Sequence, residues 1–217
     1  MIGLICLMLF GDTSVIEPIE YLMIPHTVVY DENIVADGNW LGVFETDSGS
    51  ELRYVDLQLP WEDFEPCEGE RPAGRYVSLP SETESPLFLV WSSSPVFTEG
   101  PVTTFIYSTS TRLSPASSIF LNTPGLAKAK LYASSEGLFL SSTGILQHIT
   151  DTYPGPDSNS FLGIVWAGDL DRDGKVDLII DDVDYWYDIY DWNLYLSTEA
   201  SPEQLVGWVA SFFDVYY

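Results

Sequence analysis

The residues with the clearest chemistry form an acidic loop, D-x-D-x-D-G-x-x-D, between residues 169 and 177. Carboxylates at every second position of a tight loop can converge on one point. Gly174 allows the sharp turn that brings the Lys175 carbonyl and the Asp177 carboxylate to the same ion. Magnesium requires stricter octahedral geometry and zinc prefers nitrogen or sulfur ligands, so these hard oxygen donors predict a calcium site.

The residues on either side of the loop indicate which kind of calcium loop it is. An EF-hand or dockerin loop needs an acidic bidentate ligand at its twelfth position, where this chain has Ile180, and it also needs flanking helices. Here the flanks, residues 162–166 and 176–180, have the composition of β-strands. The loop is therefore expected to connect two strands.

In this setting the segment from Gly168 to Ile180, G-D-L-D-R-D-G-K-V-D-L-I-I, resembles the calcium loop of FG-GAP and VCBS repeats. Those loops lie between strands in integrin propeller blades and in many bacterial extracellular proteins. The resemblance implies a further strand at 192–197 and a shell completed by water. It implies as ligands the Lys175 carbonyl and four side chains, those of Asp169, Asp171, Asp173 and Asp177.

The chain has one copy of this motif, whereas propeller proteins repeat it in every blade, so a propeller is not expected. Residues 38–44 and 51–53 are also similar to the opening of bacterial secreted proteins that carry one such loop. Without a metal ion, four close carboxylates would cost several kcal/mol through repulsion and desolvation. Metal binding is thus favoured over solvated charge, with the ion mainly locking the turn.

Composition restricts the partners of the chain. Its 217 residues carry 33 Asp and Glu against 8 Lys and Arg, a net charge of -25. Nucleic acids and anionic membrane surfaces are poor partners for such a chain, because both are bound through clustered cations. The balance favours an acidic protein that is secreted or periplasmic, with metal cations as natural partners.

The first residues allow three interpretations. Residues 1–14 contain an apolar run that is too short for a membrane span and suits a secretory leader, although it lacks a positive start. The alternatives are a buried first strand or a lipid anchor at Cys6. The favoured reading leaves residues 15–217 as one domain. The two cysteines, Cys6 and Cys67, give no disulfide framework.

The rest of the chain has the composition of a β protein. Short runs rich in Val, Ile, Tyr, Phe, Trp and Thr alternate with Gly, Pro, Asp and Ser turns, which predicts an all-β, antiparallel, sandwich-like fold. It comprises one domain or two packed subdomains, with a boundary near 122–126 or 153–158. Residues 205–213 fit a final strand, and the capping-box pattern at 201–204 leaves a short helix as the alternative.

The function class that these features favour is an exported calcium-binding module without enzymatic activity, which recognises an extracellular protein or glycan. The alternative is a carbohydrate-binding or carbohydrate-cleaving protein that uses an aromatic and acidic cluster beside the loop. Its stacking residues would be Tyr185, Trp186, Tyr187 and Trp192. No catalytic residue is predicted, because no carboxylate pair or G-x-S-x-G nucleophile motif stands out.

Overall fold

A computed structural model gives the architecture of the protein. It describes residues 20–25, 27–29, 34, 36, 38–47, 49–62, 74–81, 83–114, 116–122, 127–150, 161–183 and 189–215. These residues form strands, turns and bends, with no α-helix among them, and every pairing between strands is antiparallel. The predicted all-β antiparallel fold is confirmed.

The strands are β1 (Glu20–Met23), β2 (Val28–Val29), β3 (Leu41–Thr46), β4 (Gly49–Tyr54), β5 (Trp61–Glu62), β6 (Gly74–Tyr76), β7 (Phe88–Ser92), β8 (Gly100–Leu113), β9 (Ser118–Leu121), β10 (Ala129–Ser134), β11 (Gly137–Ser142), β12 (Ile145–Thr150), β13 (Phe161–Asp169), β14 (Asp177–Val183), β15 (Ile189–Leu196) and β16 (Gly207–Val215).

A nine-stranded sheet with the order β1-β7-β3-β4-β8-β13-β14-β15-β16 forms the body of the molecule. Its two outer strands, β1 and β16, lie beside each other, so the sheet nearly closes on itself. The long strand β8 joins the two halves, because its first residues pair with β4 and the remainder pairs with β13. A four-stranded sheet, β12-β11-β10-β9, and a three-stranded sheet, β2-β6-β5, complete the described part of the fold.

Strands β13 and β14 are buried on both faces because they separate two hydrophobic cores. The main core fills the interior of the large sheet and includes Trp166 and Ile179, whereas the second core lies under the four-stranded sheet and includes Ala167 and Leu178. Neighbouring residues therefore point to opposite cores, as the period of two in a strand requires. A β-bulge beside Val165 shifts this alternation within β13.

Several element boundaries differ from the sequence-based expectation. The alternating pattern of residues 52–59 predicts a strand over that range, whereas β4 begins at Gly49 and ends at Tyr54. The ambiguous final segment is a strand, β16. The capping-box residues Ser201 and Gln204 do form the predicted type of contact, because the Ser201 amide donates to Gln204 Oε1 at 3.2 Å, but they close a turn and no helix follows.

Some predictions fall on residues that the structure does not describe. The leader at 1–14 and both cysteines lie outside the described ranges, as do most residues of the two candidate domain boundaries, at 122–126 and 153–158. The leader and the domain division therefore stay predictions. Within the described ranges, the chain has no helical stretch with the length and apolarity that a membrane span needs.

Candidate metal centre

The predicted acidic loop is the hairpin connection between β13 and β14, as its strand-like flanks indicated. Gly168, at the end of β13, pairs with Asp177, the first residue of β14. Leu170 is fully buried in the main core and Val176 is buried in the second core. The two ends of the loop are thus fixed on opposite faces of the hairpin, and the polar residues between them are held at its tip.

Two residues at the tip take left-handed backbone conformations. Gly174 has a φ of 84°, which glycine adopts at little cost, and Arg172 has a φ of 64°, which costs a non-glycine residue of order 1 kcal/mol. These two residues turn the chain back so that Asp177 lies beneath the loop, where the amides of Leu170 and Asp171 reach its carboxylate.

Three carboxylates converge inside this loop. One oxygen each from Asp169, Asp171 and Asp177 lies within 4.8 Å of the other two. Asp177 is fully buried and Asp169 is 6% exposed, while Asp171 is half-buried. Acidic groups this close repel one another. A cation between them would offset this repulsion, so the three carboxylates form an arrangement that could hold a metal ion.

Asp177 is the best-anchored of the three. Its Oδ2 accepts hydrogen bonds from the amides of Leu170, at 2.6 Å, and Asp171, at 3.3 Å. Its Oδ1 accepts from the amide and the hydroxyl of Ser197, at 2.8 and 3.0 Å. This carboxylate therefore links the tip of the hairpin to the residue that follows β15.

Asp169 is held less completely. Its Oδ2 accepts a hydrogen bond from the Gly174 amide at 3.2 Å, whereas its Oδ1 is buried and has no hydrogen-bond partner. A buried carboxylate oxygen without a partner costs folding free energy, because the water it loses is not replaced. A cation bound between Asp169 and the neighbouring carboxylates would remove that cost.

Asp173 and Lys175, the other two predicted ligands, are placed differently. The Lys175 ammonium donates to Asp173 Oδ2 at 2.8 Å, and the Ser197 hydroxyl lies 2.9 Å from Asp173 Oδ1. Burial would raise the pKa of Asp173, but these hydrogen bonds outweigh it and lower the pKa. The Ser197 hydroxyl lies within hydrogen-bond distance of both Asp173 and Asp177, so it connects Asp173 to the three converging carboxylates. The negative charge of Asp173 is paired with Lys175.

The pKa values of the two most buried carboxyls are shifted in the opposite direction. Burial, followed by the charge of Asp171, raises the pKa of Asp177 well above its ordinary value. Burial also raises the pKa of Asp169, and the charges of Asp171 and Asp173 add to this while the Gly174 amide opposes it. Both groups are ionised only at a free-energy cost that a bound cation would offset.

Oxygen is the only donor type in this group, which fits a hard divalent cation better than zinc. Neither a family model nor a curated protein nor a solved structure matches the chain. The case for a metal ion therefore rests on the geometry of these carboxylates.

Two residues of the site were missed by sequence reasoning. Besides the Ser197 contacts, the Thr198 hydroxyl donates to Asp171 Oδ2 at 2.6 Å. The register between β14 and β15 pairs Leu178 with Tyr195, which brings the residues after β15 to the loop. A strand at 192–197 was expected, and the hydroxyl pair at its end was the available signal.

The predicted aromatic cluster is only partly within the described residues. Tyr185, Trp186 and Tyr187 lie outside them. Trp192 lies in β15, where its half-buried indole packs against the main core. Carbohydrate binding at this cluster stays a prediction.

Proposed function

We propose that the protein is an exported, non-enzymatic calcium-binding module in which the ion mainly locks the β13–β14 hairpin. The observation that carries this proposal is Asp169 Oδ1, a buried oxygen without a hydrogen-bond partner, in a group of three converging carboxylates. Asp169, Asp171 and Asp177 would hold the ion, with Asp173 and the Lys175 carbonyl as the further ligands implied by the FG-GAP and VCBS resemblance.

Calcium is favoured over other cations by the nature of the donors. It accepts six to eight oxygen ligands in flexible geometry, including backbone carbonyls and water, whereas magnesium needs a near-ideal octahedron. When bound, the ion supplies positive charge to carboxylates that are otherwise buried together. Millimolar extracellular calcium would fill even a modest site, which supports export together with the net charge of -25.

A structural role is supported by the anchoring of the loop. The chain's own residues already connect the hairpin tip to the end of β15 through Ser197 and Thr198. An ion among the carboxylates would tighten a junction of β13, β14 and β15. No substrate-facing nucleophile or acid–base pair is needed for this role.

Calcium should raise the melting temperature of the protein. About 1 mM calcium is about ten times the dissociation constant of a site of about 0.1 mM, and the stabilisation is then about 1.4 kcal/mol. For a chain of this size that corresponds to a rise of about 3 to 6 °C over the value in EDTA. Thermal unfolding in EDTA, in about 1 mM calcium and in about 1 mM magnesium measures the rise and its selectivity.

A matched pair of variants assigns the effect to the loop. Asp169→Asn should lose the calcium-induced rise because it removes the charge while keeping the shape, and Glu136→Gln, at an exposed turn, should retain it. An equal rise in both variants would overturn the proposed site. No rise in the unmodified protein would overturn the proposed function.

Calcium binding should also release protons at mildly acidic pH. The folded-state pKa values of Asp169 and Asp177 are raised, so the cost of ionising them is present at neutral pH and is relieved as pH falls through those values. Calcium requires the ionised forms. Near about pH 5, where ordinary carboxyls are already ionised, calcium binding should therefore liberate protons.

Calorimetry in two buffers of different ionisation enthalpy counts these protons. The calcium-induced rise in melting temperature should correspondingly be smaller near about pH 5 than near about pH 7. Calcium binding without proton release at the lower pH would contradict the raised pKa values of Asp169 and Asp177. Asp169→Asn, which should not respond to calcium, is the control and should show no calcium-linked proton release.

A further inference from the structure

A pocket lined by none of the three converging carboxylates lies where β3, β4 and β7 meet the loop that leads to β8. Its volume is about 340 Å³, at the lower end of the range of about 300–1,000 Å³ that is typical of small-molecule sites. Three aromatic residues, Tyr54, Trp91 and Phe97, contribute to its lining. Asn39, Ser92, Ser94 and Thr98 contribute polar groups.

The lining is suited to an uncharged, hydroxylated ligand. None of the described residues that line the pocket is charged, although the chain as a whole has a net charge of -25. The side chains offer amide and hydroxyl groups that can donate and accept hydrogen bonds. The Ser92 and Ser94 hydroxyls already bond each other at 3.1 Å, so a ligand would use their remaining hydrogen-bonding capacity. Tyr54 is 53% exposed and so presents part of its ring to an incoming ligand.

The walls of the pocket are well supported. Leu41 pairs with both Tyr54 and Val90, so the three strand ends are held in one register. The Trp91 ring packs against Tyr21, at 5.4 Å between ring centroids, and against Trp40, at 6.4 Å. A site that is already ordered pays less conformational entropy when a ligand binds, so more of the contact free energy contributes to affinity.

The loop that forms the remaining wall is held by Arg172, a residue of the acidic loop. Its Nη1 donates to Thr98 Oγ1 and its Nη2 donates to the Thr98 carbonyl, both at 2.9 Å. The guanidinium also lies against Gly100, where an added Cβ would be 3.3 Å from Nη2. These contacts are a reason for Arg172 to keep its left-handed backbone conformation.

From this arrangement we propose that the pocket binds one unit of a neutral saccharide. The ring of Tyr54 stacks on an apolar face of the sugar, and the amide and hydroxyl groups bind its hydroxyls. Arg172 acts as a positioning residue that fixes the wall at Thr98. The proposal goes beyond the calcium site, and the pocket does not include any of the proposed calcium ligands.

Saturation-transfer NMR tests the pocket with four probes: glucose, galactose, mannose and N-acetylglucosamine, each at about 10 mM, a concentration that detects millimolar affinity. At least one should receive saturation. Tyr54→Ala should weaken its affinity about tenfold, whereas Tyr54→Phe should retain it because the ring remains. Phe120→Ala, which removes an aromatic residue that is 74% exposed on the four-stranded sheet, should have no effect.

Arg172→Ala provides a separate readout of positioning. Without any sugar present, it should shift the amide resonances of Ser93, Ser94 and residues 96–98, while those of the four-stranded sheet stay unchanged. It should also weaken sugar affinity by several-fold.

Two results would overturn the proposal: no saturation transfer to any of the four sugars, or transfer that is equal in Tyr54→Ala and the unmodified protein. Neither result depends on calcium. A failure here is therefore distinguishable from a failure of the proposed metal site, which is judged by melting temperature.

Discussion

Asp177→Ala is expected to lower the free energy of unfolding by about 4 kcal/mol and to abolish the response to calcium. The fully buried carboxylate accepts from the amides of Leu170 and Ser197, and alanine would leave both donors without their acceptor. Each buried group that loses its partner costs about 1–3 kcal/mol. Urea unfolding in EDTA and in calcium measures both effects.

Two further variants control this result. Asp177→Asn retains one acceptor oxygen, so it should cost about half as much as alanine and still lose the calcium response. Asp173→Ala should cost less than either in EDTA, because Asp173 is only half-buried and its ion-pair partner Lys175 is exposed. An Asp177→Ala protein as stable as the unmodified one would refute the described anchoring.

Gly168→Ala is expected to destabilise the protein by about 3 kcal/mol, the upper part of the range for overpacking. A Cβ at this position would lie 2.4 Å from the Thr103 carbonyl oxygen and 2.5 Å from the Trp166 ring. The carbonyl belongs to β8, which pairs with β13, so the clash can be relieved only by moving strands at the centre of the large sheet.

Gly174→Ala is the matched control within the same motif. Gly174 has a φ of 84° and nothing would lie within 4 Å of an added Cβ, so only the backbone penalty of about 1 kcal/mol applies. Chemical unfolding of the two variants should therefore differ by about 2 kcal/mol. Equal losses would mean that β8 and β13 are not packed as closely as described.

The acidic loop could be recognised from sequence because its chemistry is local. Asp169, Asp171 and Asp177 lie within one hairpin connection, and their spacing alone brings them together. Ser197 and Thr198 could not be assigned in the same way, since their position depends on the register between β14 and β15. The pocket was missed for the same reason: it is formed by residues from β3, β4, β7 and a loop.

Strand content was predictable for segments with strong patterns and less so where turns decide the register. The apolar run from Ser118 to Leu121 predicts a strand, and β9 has the same bounds. β4 begins earlier than expected because Gly49 already pairs with Thr46, directly after the turn at Asp47. Gly49 has a φ of 140°, which a glycine adopts easily at the start of a strand. Strand β5 has only two residues, Trp61 and Glu62, which is too short to show an alternating pattern.

The closing of the large sheet has a consequence for how the protein folds. β1 and β16 lie beside each other although almost the whole described chain separates them, and residues of both contribute to the main core. Contacts between such distant segments incur their loop-closure entropy before they give any stabilisation, so sheets of this kind fold in milliseconds to seconds. During synthesis, β1 must remain without its final neighbour until β16 has been made, and the interior is exposed to aggregation for that interval.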